Sequence, residues 1–210
     1  RENGEILYSE AEIVELRSNV RIEKIYLLDQ ILDKSTFATI DNNEQRSYLE
    51  RHHCYVGVSP GVRLALQRAE IIIYSAGTQH SSLYPTYMSA GLAESISDNH
   101  SALKVFITNI GADYETPSYK ASDYILGAHR YLNLSDERNY SMEELFDVIF
   151  INQSHFKDDE TYVEYDEEGF HDISIQCLVD IFESEDNPGK HNGNKVVKTI
   201  LDLYEDKHSQ

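Results

Sequence analysis

The sequence is poor in cysteine and in basic residues, and each shortage narrows the class of protein. Its two cysteines, Cys54 and Cys177, lie far apart and form no C-x-x-C pair, so we expect a reduced, cytoplasmic protein. Lysine and arginine number 18 against 37 acidic residues, which gives a formal net charge of −19. Binders of polyanions normally present a basic surface, so we expect no nucleic-acid partner and no anionic membrane partner.

Long apolar runs and the common catalytic signatures are also missing. No run reaches the length of a membrane span, so we expect neither a span nor a signal peptide. There is no G-x-S-x-G elbow, no Walker loop and no G-x-G-x-x-G motif. The first residue is Arg1 rather than Met, and we expect a segment of a longer or processed polypeptide.

The chain nevertheless contains enough apolar material for a packed core, with 40% hydrophobic residues in 210, and we expect one domain over 1–210. Apolar runs alternate with helical patterns between Ser59 and Asn152. The predicted strands are Ala69–Tyr74, Lys104–Asn109 and Asp147–Asn152, and the predicted helices follow Ser59-Pro60, cover Ser122–Leu132 and begin at the capping box Ser141–Glu144. This alternation predicts a three-layer α/β fold, with a mainly parallel sheet and helices on both faces (Rossmann-like).

Further elements are predicted outside this region. They are a strand at Arg21–Leu28, an exposed helix at Asp41–Arg51 within a probable insertion at 31–54, a strand at Ile173–Val179 and a closing helix at Val196–Tyr204. In a parallel sheet, the loops that follow the strands lie along one edge, and this edge is where such folds bind ligands.

One of these loops, Ser75–Pro85, joins the strand that ends at Tyr74 to a predicted helix at Tyr87–Ile96. Gly77 permits close backbone approach or a positive φ. Thr78, Ser81 and Ser82 offer hydroxyl donors, and these groups suit a local phosphate site. The same composition also fits an ordinary strand-to-helix turn whose hydroxyl groups only cap the helix.

A second candidate group follows the next strand along the chain. Asn109 ends that strand, and Asp113, Glu115 and Thr116 come soon after it. Asp113 and Glu115 have the chemistry of metal ligands or of a general base, or they are simply solvated loop carboxylates. Asn152 occupies the corresponding place after the third strand.

Three segments of the chain resemble one family, the 2-phospho-L-lactate transferase superfamily, in its gluconeogenesis-factor (YvcK-like) branch. The segments are Asn3–Ile6 with Glu10–Ile13 and Arg21-Ile22, the loop Ser75–Pro85, and Lys104–Asn109 with Glu115-Thr116 and Ala121–Tyr124. The loop resembles the family passage GPGSLYTSIxP, with Ser75-Ala76 in place of Gly-Pro and Gln79-His80 in place of Leu-Tyr. The family's amino-terminal half, with its glycine-rich nucleotide loop, is missing from this chain, which leaves open an incomplete domain.

The resemblance implies a site and a choice of functions. It implies phosphate contacts at Gly77, Thr78, Ser81 and Ser82, with Asn109, Glu115 and Thr116 lining the pocket. The gluconeogenesis-factor branch implies a regulator that binds a nucleotide-diphosphate ligand of the UDP-sugar type. The transferase branch implies a phosphoester transferase with magnesium, held here by Asp113 or Glu115. A third alternative is an interaction domain that has lost its ligand site.

The missing half also bears on the partners of the chain. It would leave an apolar edge exposed, and such an edge drives association. We therefore expect either a homo-oligomer or association with the missing amino-terminal segment.

Overall fold

The computed structural model describes residues 1–15, 17–153 and 162–209, and its centre is a parallel sheet of four strands in the order β1-β2-β3-β4. The strands are β1 (Ile71–Tyr74), β2 (Leu103–Ile107), β3 (Val148–Asn152) and β4 (Gln176–Asp180). The α-helices are α1 (Glu10–Val14), α2 (Lys34–Phe37), α3 (Asn42–Arg51), α4 (Pro60–Arg68), α5 (Tyr84–Tyr87), α6 (Leu92–Ser97), α7 (Ala121–Leu132), α8 (Met142–Leu145) and α9 (Gly193–His208). A π-helix covers Gln79–Leu83 and a 3₁₀-helix covers Glu167–Phe170. The predicted α/β class is confirmed.

The sheet separates two hydrophobic clusters, one on each face. β2 and β3 are buried at every position, as their continuous apolar runs require in a parallel sheet. One face packs against α5, α6, α7 and the amino-terminal segment, and it holds the larger cluster. The other face carries Leu103, Val105 and Phe150, which pack against Val196 and Ile200 of α9.

The helix starts follow the capping residues in the sequence. The hydroxyl of Ser59 accepts from the amide of Val62 at 3.3 Å, and Pro60 opens α4. Ser141 and Glu144 form the predicted capping box of α8. Asp41 caps α3 by accepting from the amides of Asn43 and Glu44. In the described residues, no helix has the length and apolar character that crossing a membrane demands.

The strand predicted at Arg21–Leu28 is wrong. This segment joins no ladder, and Leu28 makes only an isolated antiparallel bridge with His53. Ile22 and Ile25 are its buried residues, and they are three positions apart rather than two. Side-chain burial holds the segment, aided by the amide of Leu27, which donates to Nδ1 of His53 at 3.1 Å.

The structure also differs from the loop and single helix predicted between Ser75 and Ile96. The irregular stretch ends at Thr78, because the π-helix starts at Gln79 and continues directly into α5. The predicted single helix is in fact two, α5 and α6. Gly91 separates them in the left-handed conformation, with φ of 79°, which few residues other than glycine adopt.

Candidate functional site

The loops after β1 and β2 are joined by a reciprocal amide pair. The amide of Gly77 donates to Oδ1 of Asn109 at 3.0 Å, and Nδ2 of Asn109 donates to the carbonyl of Gly77 at 3.0 Å. Gly77 and Asn109 lie three and two positions after strands whose carboxyl ends are neighbours in the sheet. The structure therefore brings together two residues that the sequence placed at the same edge.

The conformational role expected of Gly77 is not seen in the chain itself. Its φ lies outside the left-handed region, and an added Cβ would meet only the side chain of Leu83, at an ordinary 3.5 Å. Nothing in the fold of the described residues demands glycine here. A steric reason for Gly77 would have to come from a molecule that approaches the loop from outside.

A second tie joins the same two loops through a buried carboxylate. Glu115 accepts from the amide of Ser81 at 2.9 Å and from the Ser81 hydroxyl at 2.5 Å. Its side chain is fully buried. The amide of Glu115 in turn donates to Oδ1 of Asp113 at 3.1 Å, which fixes the turn that carries it. Glu115 is therefore not a solvated loop carboxylate.

The predicted hydroxyl groups differ in their exposure to solvent and in their hydrogen-bond partners. Thr78 donates to the hydroxyl oxygen of Ser82 at 2.9 Å, and Ser82 is exposed. Both donors of Ser81 point at Glu115. Thr116 is buried, and its hydroxyl lies 2.9 Å from the hydroxyl of Tyr124. Ser82 is thus the hydroxyl group best placed to donate to a ligand from solvent, and Thr78 lies half-buried beside it.

A groove of about 850 Å³ adjoins this arrangement, and two of the predicted residues, Asp113 and Thr116, line it. Its other walls include Arg17, Tyr114 and Lys120. The guanidinium carbon of Arg17 lies 3.4 Å above the centroid of the Tyr114 ring, and this pairing presents a cation and an aromatic face together. Sequence reasoning missed Arg17 and Tyr114, because nothing local in the sequence brings them together.

Two of the segments that carry the family resemblance meet beside this groove. Both terminal guanidinium nitrogens of Arg21 donate to the carboxylate of Asp123, at 3.0 and 3.1 Å. Arg21 also donates to the carbonyl of Ser118, which has a left-handed φ of 60°. This conformation is uncommon outside glycine, and the Arg21 contact helps to hold it. Arg21 thus fixes the turn that forms one wall of the groove.

The π-helix places His80 in the protein interior, between the rings of Tyr84 and Tyr119. The side chain is 1% exposed, and neither ring nitrogen has a well-formed hydrogen bond among the described residues. Burial lowers the pKa of His80 to about 4, and backbone groups of Glu115 and Ile22 offset part of that effect. His80 is therefore neutral near pH 7.

Asn152 repeats at β3 what Asn109 does at β2. Its Oδ1 accepts from the amides of Phe182 and Glu183 at 2.8 and 2.9 Å, and so ties the end of β3 to the loop after β4. Asn152 thus serves the backbone at this edge.

The donor set for a metal ion is small. The described part of the chain contains no group of three or more His, Cys, Asp or Glu side chains that could hold an ion. Asp113 is a single half-buried carboxylate on the groove wall. One carboxylate suits a magnesium ion only where phosphate oxygens and water supply the remaining ligands.

Curated proteins with a similar sequence are named gluconeogenesis factors. The chain is 25% identical over 154 residues to the gluconeogenesis factor of Listeria innocua, covering 70% of this chain and 45% of the relative. It is 27% identical over 142 residues to the gluconeogenesis factor of Halalkalibacterium halodurans, covering 66% and 43%. The chain therefore spans less than half the length of these curated relatives.

Solved structures agree on the fold. A crystal structure of a Bacillus halodurans protein superposes with a TM-score of 0.57 at 22% identity, covering 69% of this chain and 47% of that one. A second, described as a member of the UPF0052 family from the same organism, gives a TM-score of 0.58 at 23% identity. The family model described as 2-phospho-L-lactate transferase CofD matches residues 2–186. Because this match covers most of the chain, the protein belongs to the CofD family.

Proposed function

We propose that this chain contributes a binding site for a nucleotide-diphosphate ligand of the UDP-sugar type, in a metabolic regulator similar to the gluconeogenesis factors. The observation that carries the proposal is the double tie at the carboxyl edge of the sheet. Asn109 holds Gly77 and Glu115 holds Ser81, so the hydroxyl-rich start of the π-helix is fixed to the loop after β2, whose residues Asp113 and Thr116 line the groove. A preorganised set of donors suits an anion, because the cost of ordering it is met on folding.

Each predicted residue has a distinct part in this site. The proposed phosphate contacts are at Gly77, Thr78 and Ser82. Ser82 donates directly, whereas the Gly77 amide and the Thr78 hydroxyl must first release Asn109 and Ser82. Both donors of Ser81 bind Glu115, so Ser81 can donate to a phosphate only by releasing Glu115, and we assign it mainly to holding the loop. Asn109, Glu115 and Thr116 hold the residues of the site in position. The groove lined by Asp113 receives the rest of the ligand.

The charge of the protein fits such a site. A net charge of −19 repels anions at long range, so a phosphate must be held by local donors. The groove contains two cationic groups, Arg17, which lies over the Tyr114 ring, and Lys120, which pairs with Glu164 at 3.2 Å. The aromatic faces of Tyr114 and Tyr119 offer stacking surfaces for a planar base.

The test is ligand-dependent thermal unfolding with UDP-N-acetylglucosamine, GDP and GTP, each with and without magnesium. A ligand at a hundred times its Kd adds roughly 2.7 kcal/mol to the free energy of unfolding, a shift of several degrees. The proposal expects UDP-N-acetylglucosamine to raise Tm. Thr78→Val combined with Ser82→Ala should weaken the affinity for this ligand at least about tenfold. Thr199→Val on α9 is the matched control and should leave the affinity unchanged. Equal affinity in the double variant would remove this site.

A transferase activity is the second candidate, and Asp113 is the observation that favours it. It is a half-buried carboxylate on the groove wall, where phosphate oxygens could complete a magnesium site. A magnesium-dependent shift with a guanine nucleotide, abolished by Asp113→Asn, would support this reading. No shift with any of the ligands would favour an interaction domain instead.

A further inference from the structure

The carbonyl group of Gly77 accepts hydrogen bonds from two side chains that lie in different parts of the sequence. Nδ2 of Asn109 reaches it from the loop after β2, at 3.0 Å. Nε2 of Gln79, the first residue of the π-helix, reaches it from the same connection as Gly77, at 2.8 Å. A carbonyl oxygen has two lone pairs, so both bonds can exist at once. The Gly77 carbonyl therefore keeps one donor when the other is withdrawn.

The two donors differ in what an incoming anion does to them. Asn109 is half-buried, and its Oδ1 also accepts from the N–H of Gly77 at 3.0 Å. Because Oδ1 and Nδ2 belong to one planar amide group, an anion that takes the Gly77 N–H breaks both hydrogen bonds between Asn109 and Gly77. Gln79 is 2% exposed and donates to the carbonyl rather than accepting from the N–H. The same anion therefore leaves the Gln79 bond intact.

The stability of the ligand-free fold does not account for a glutamine at position 79. Its Oε1 is buried and has no hydrogen-bond partner among the described residues. A buried acceptor without a partner destabilises a protein about as much as a hydrogen bond stabilises it, or more. Since Asn109 already donates to the Gly77 carbonyl, the second donor adds little while Asn109 stays in place. Gln79 matters most when Asn109 is displaced.

We propose that Gln79 is a positioning residue of the anion site, which holds the Gly77 carbonyl while a ligand phosphate replaces Asn109 at the Gly77 N–H. Without Gln79 the carbonyl would lose its last donor beside an incoming negative charge, which is costly for a polar group shielded from water. The space next to Gly77 suits the exchange, because an added Cβ would meet only the side chain of Leu83, at 3.5 Å. The inference rests on the proposed function, which supplies the anion.

A double-mutant cycle without ligand tests whether the two donors can replace each other. Gln79→Met removes one amide with little change in side-chain volume, and Asn109→Ala removes the other. Each single variant leaves the Gly77 carbonyl one donor, whereas the double variant leaves it none. In the full-length protein we expect the double variant to lower Tm by at least about 3 °C more than the sum of the two single shifts. Additive shifts would overturn the inference.

The affinity for UDP-N-acetylglucosamine separates a positioning role from a purely structural one. Gln79→Met should weaken the affinity at least about fivefold, while it shifts the Tm of the ligand-free protein by less than about 2 °C. Gln45→Met is the matched control, because Gln45 is also buried and its Nε2 donates to a backbone carbonyl, that of Phe37, at 2.9 Å. Gln45 lies on α3 and does not line the groove, so its replacement should leave the affinity unchanged.

The outcomes distinguish this inference from the proposed function. Equal affinity in the unmodified protein and in Gln79→Met would overturn the inference and leave the proposed function intact. A fall in Tm without a fall in affinity would do the same, because it assigns Gln79 to the fold alone. An unmodified protein that does not bind the ligand would overturn the proposed function itself, and the ligand role of Gln79 with it.

Discussion

Glu115 accepts two hydrogen bonds from Ser81, one from its backbone amide and one from its hydroxyl, across a gap of 34 positions in the sequence. Replacing Glu115 with alanine would leave both Ser81 donors without their acceptor in a largely buried place. Glu115→Ala should therefore lower the free energy of unfolding by about 2–4 kcal/mol, and Glu115→Gln by about half as much. Urea denaturation measures both, and the exposed Glu185→Gln serves as the control. A loss below about 0.5 kcal/mol in Glu115→Ala would contradict this account.

Asn109→Asp separates the two halves of the Gly77 amide pair. A carboxylate still accepts from the amide of Gly77, but it cannot donate to the carbonyl of Gly77. We expect a loss of about 1–2 kcal/mol in stability, and a further loss of ligand affinity because the loop is no longer fixed. The same change at exposed Asn187 should cost almost nothing in either measurement. Equal costs at the two positions would show that the amide pair does not matter.

Stability should fall in mildly acidic solution because His80 is buried in its neutral form. Its pKa is about 4 in the folded protein and about 6.5 when unfolded, so between these values the unfolded chain binds the additional proton. The contribution is fully present above pH 6.5 and is lost as the pH falls toward 4, to a total of roughly 3 kcal/mol.

Denaturant unfolding at several pH values between 4 and 8 checks this dependence. His80→Phe should flatten the curve, although not fully, because burial also lowers the pKa of His53 and His191. An unchanged slope in His80→Phe would assign the acid sensitivity to other groups.

Gly127 is required by the close approach of Tyr84. A Cβ at position 127 would overlap the hydroxyl oxygen of Tyr84, and Tyr84 is itself fully buried and stacked on Tyr131. Gly127→Ala should therefore cost about 1–3 kcal/mol despite the better helix propensity of alanine. Gly193→Ala, which meets no atom within 4 Å, is the control and should be neutral or slightly stabilising. Tyr84→Phe should partly restore the stability of Gly127→Ala, and thermal unfolding of the double variant measures this.

The sequence predicted the strands and the capped helices well, because their signals are local. Ile71–Tyr74 is a β-branched run, and Ser141 with Glu144 is a complete capping box. The prediction at Arg21–Leu28 was wrong because a short run that changes from charged to apolar residues also fits an irregular segment held by tertiary packing, here at Ile22 and Ile25.

The sequence predicted where the candidate site lies, but not what each of its residues does. Parallel strands imply that Gly77 and Asn109 meet at one edge, and they do. Whether a carboxylate after a strand points outward or inward depends on distant residues, so the inward direction of Glu115 had no signal in its neighbours. The same holds for the pairing of Arg17 with Tyr114 in the groove.

Asn109 and Asn152 bind backbone groups on opposite sides of the sheet's centre, one toward the β1 loop and one toward the β4 loop. Amide side chains therefore link neighbouring loops at this edge of the sheet, in addition to the backbone ladders between the strands. A displacement of one of these loops is therefore transmitted to its neighbour through the hydrogen bonds of the asparagine side chain. A molecule that binds to the loop after β1 would therefore also displace the loop after β2, through the hydrogen bonds of Asn109.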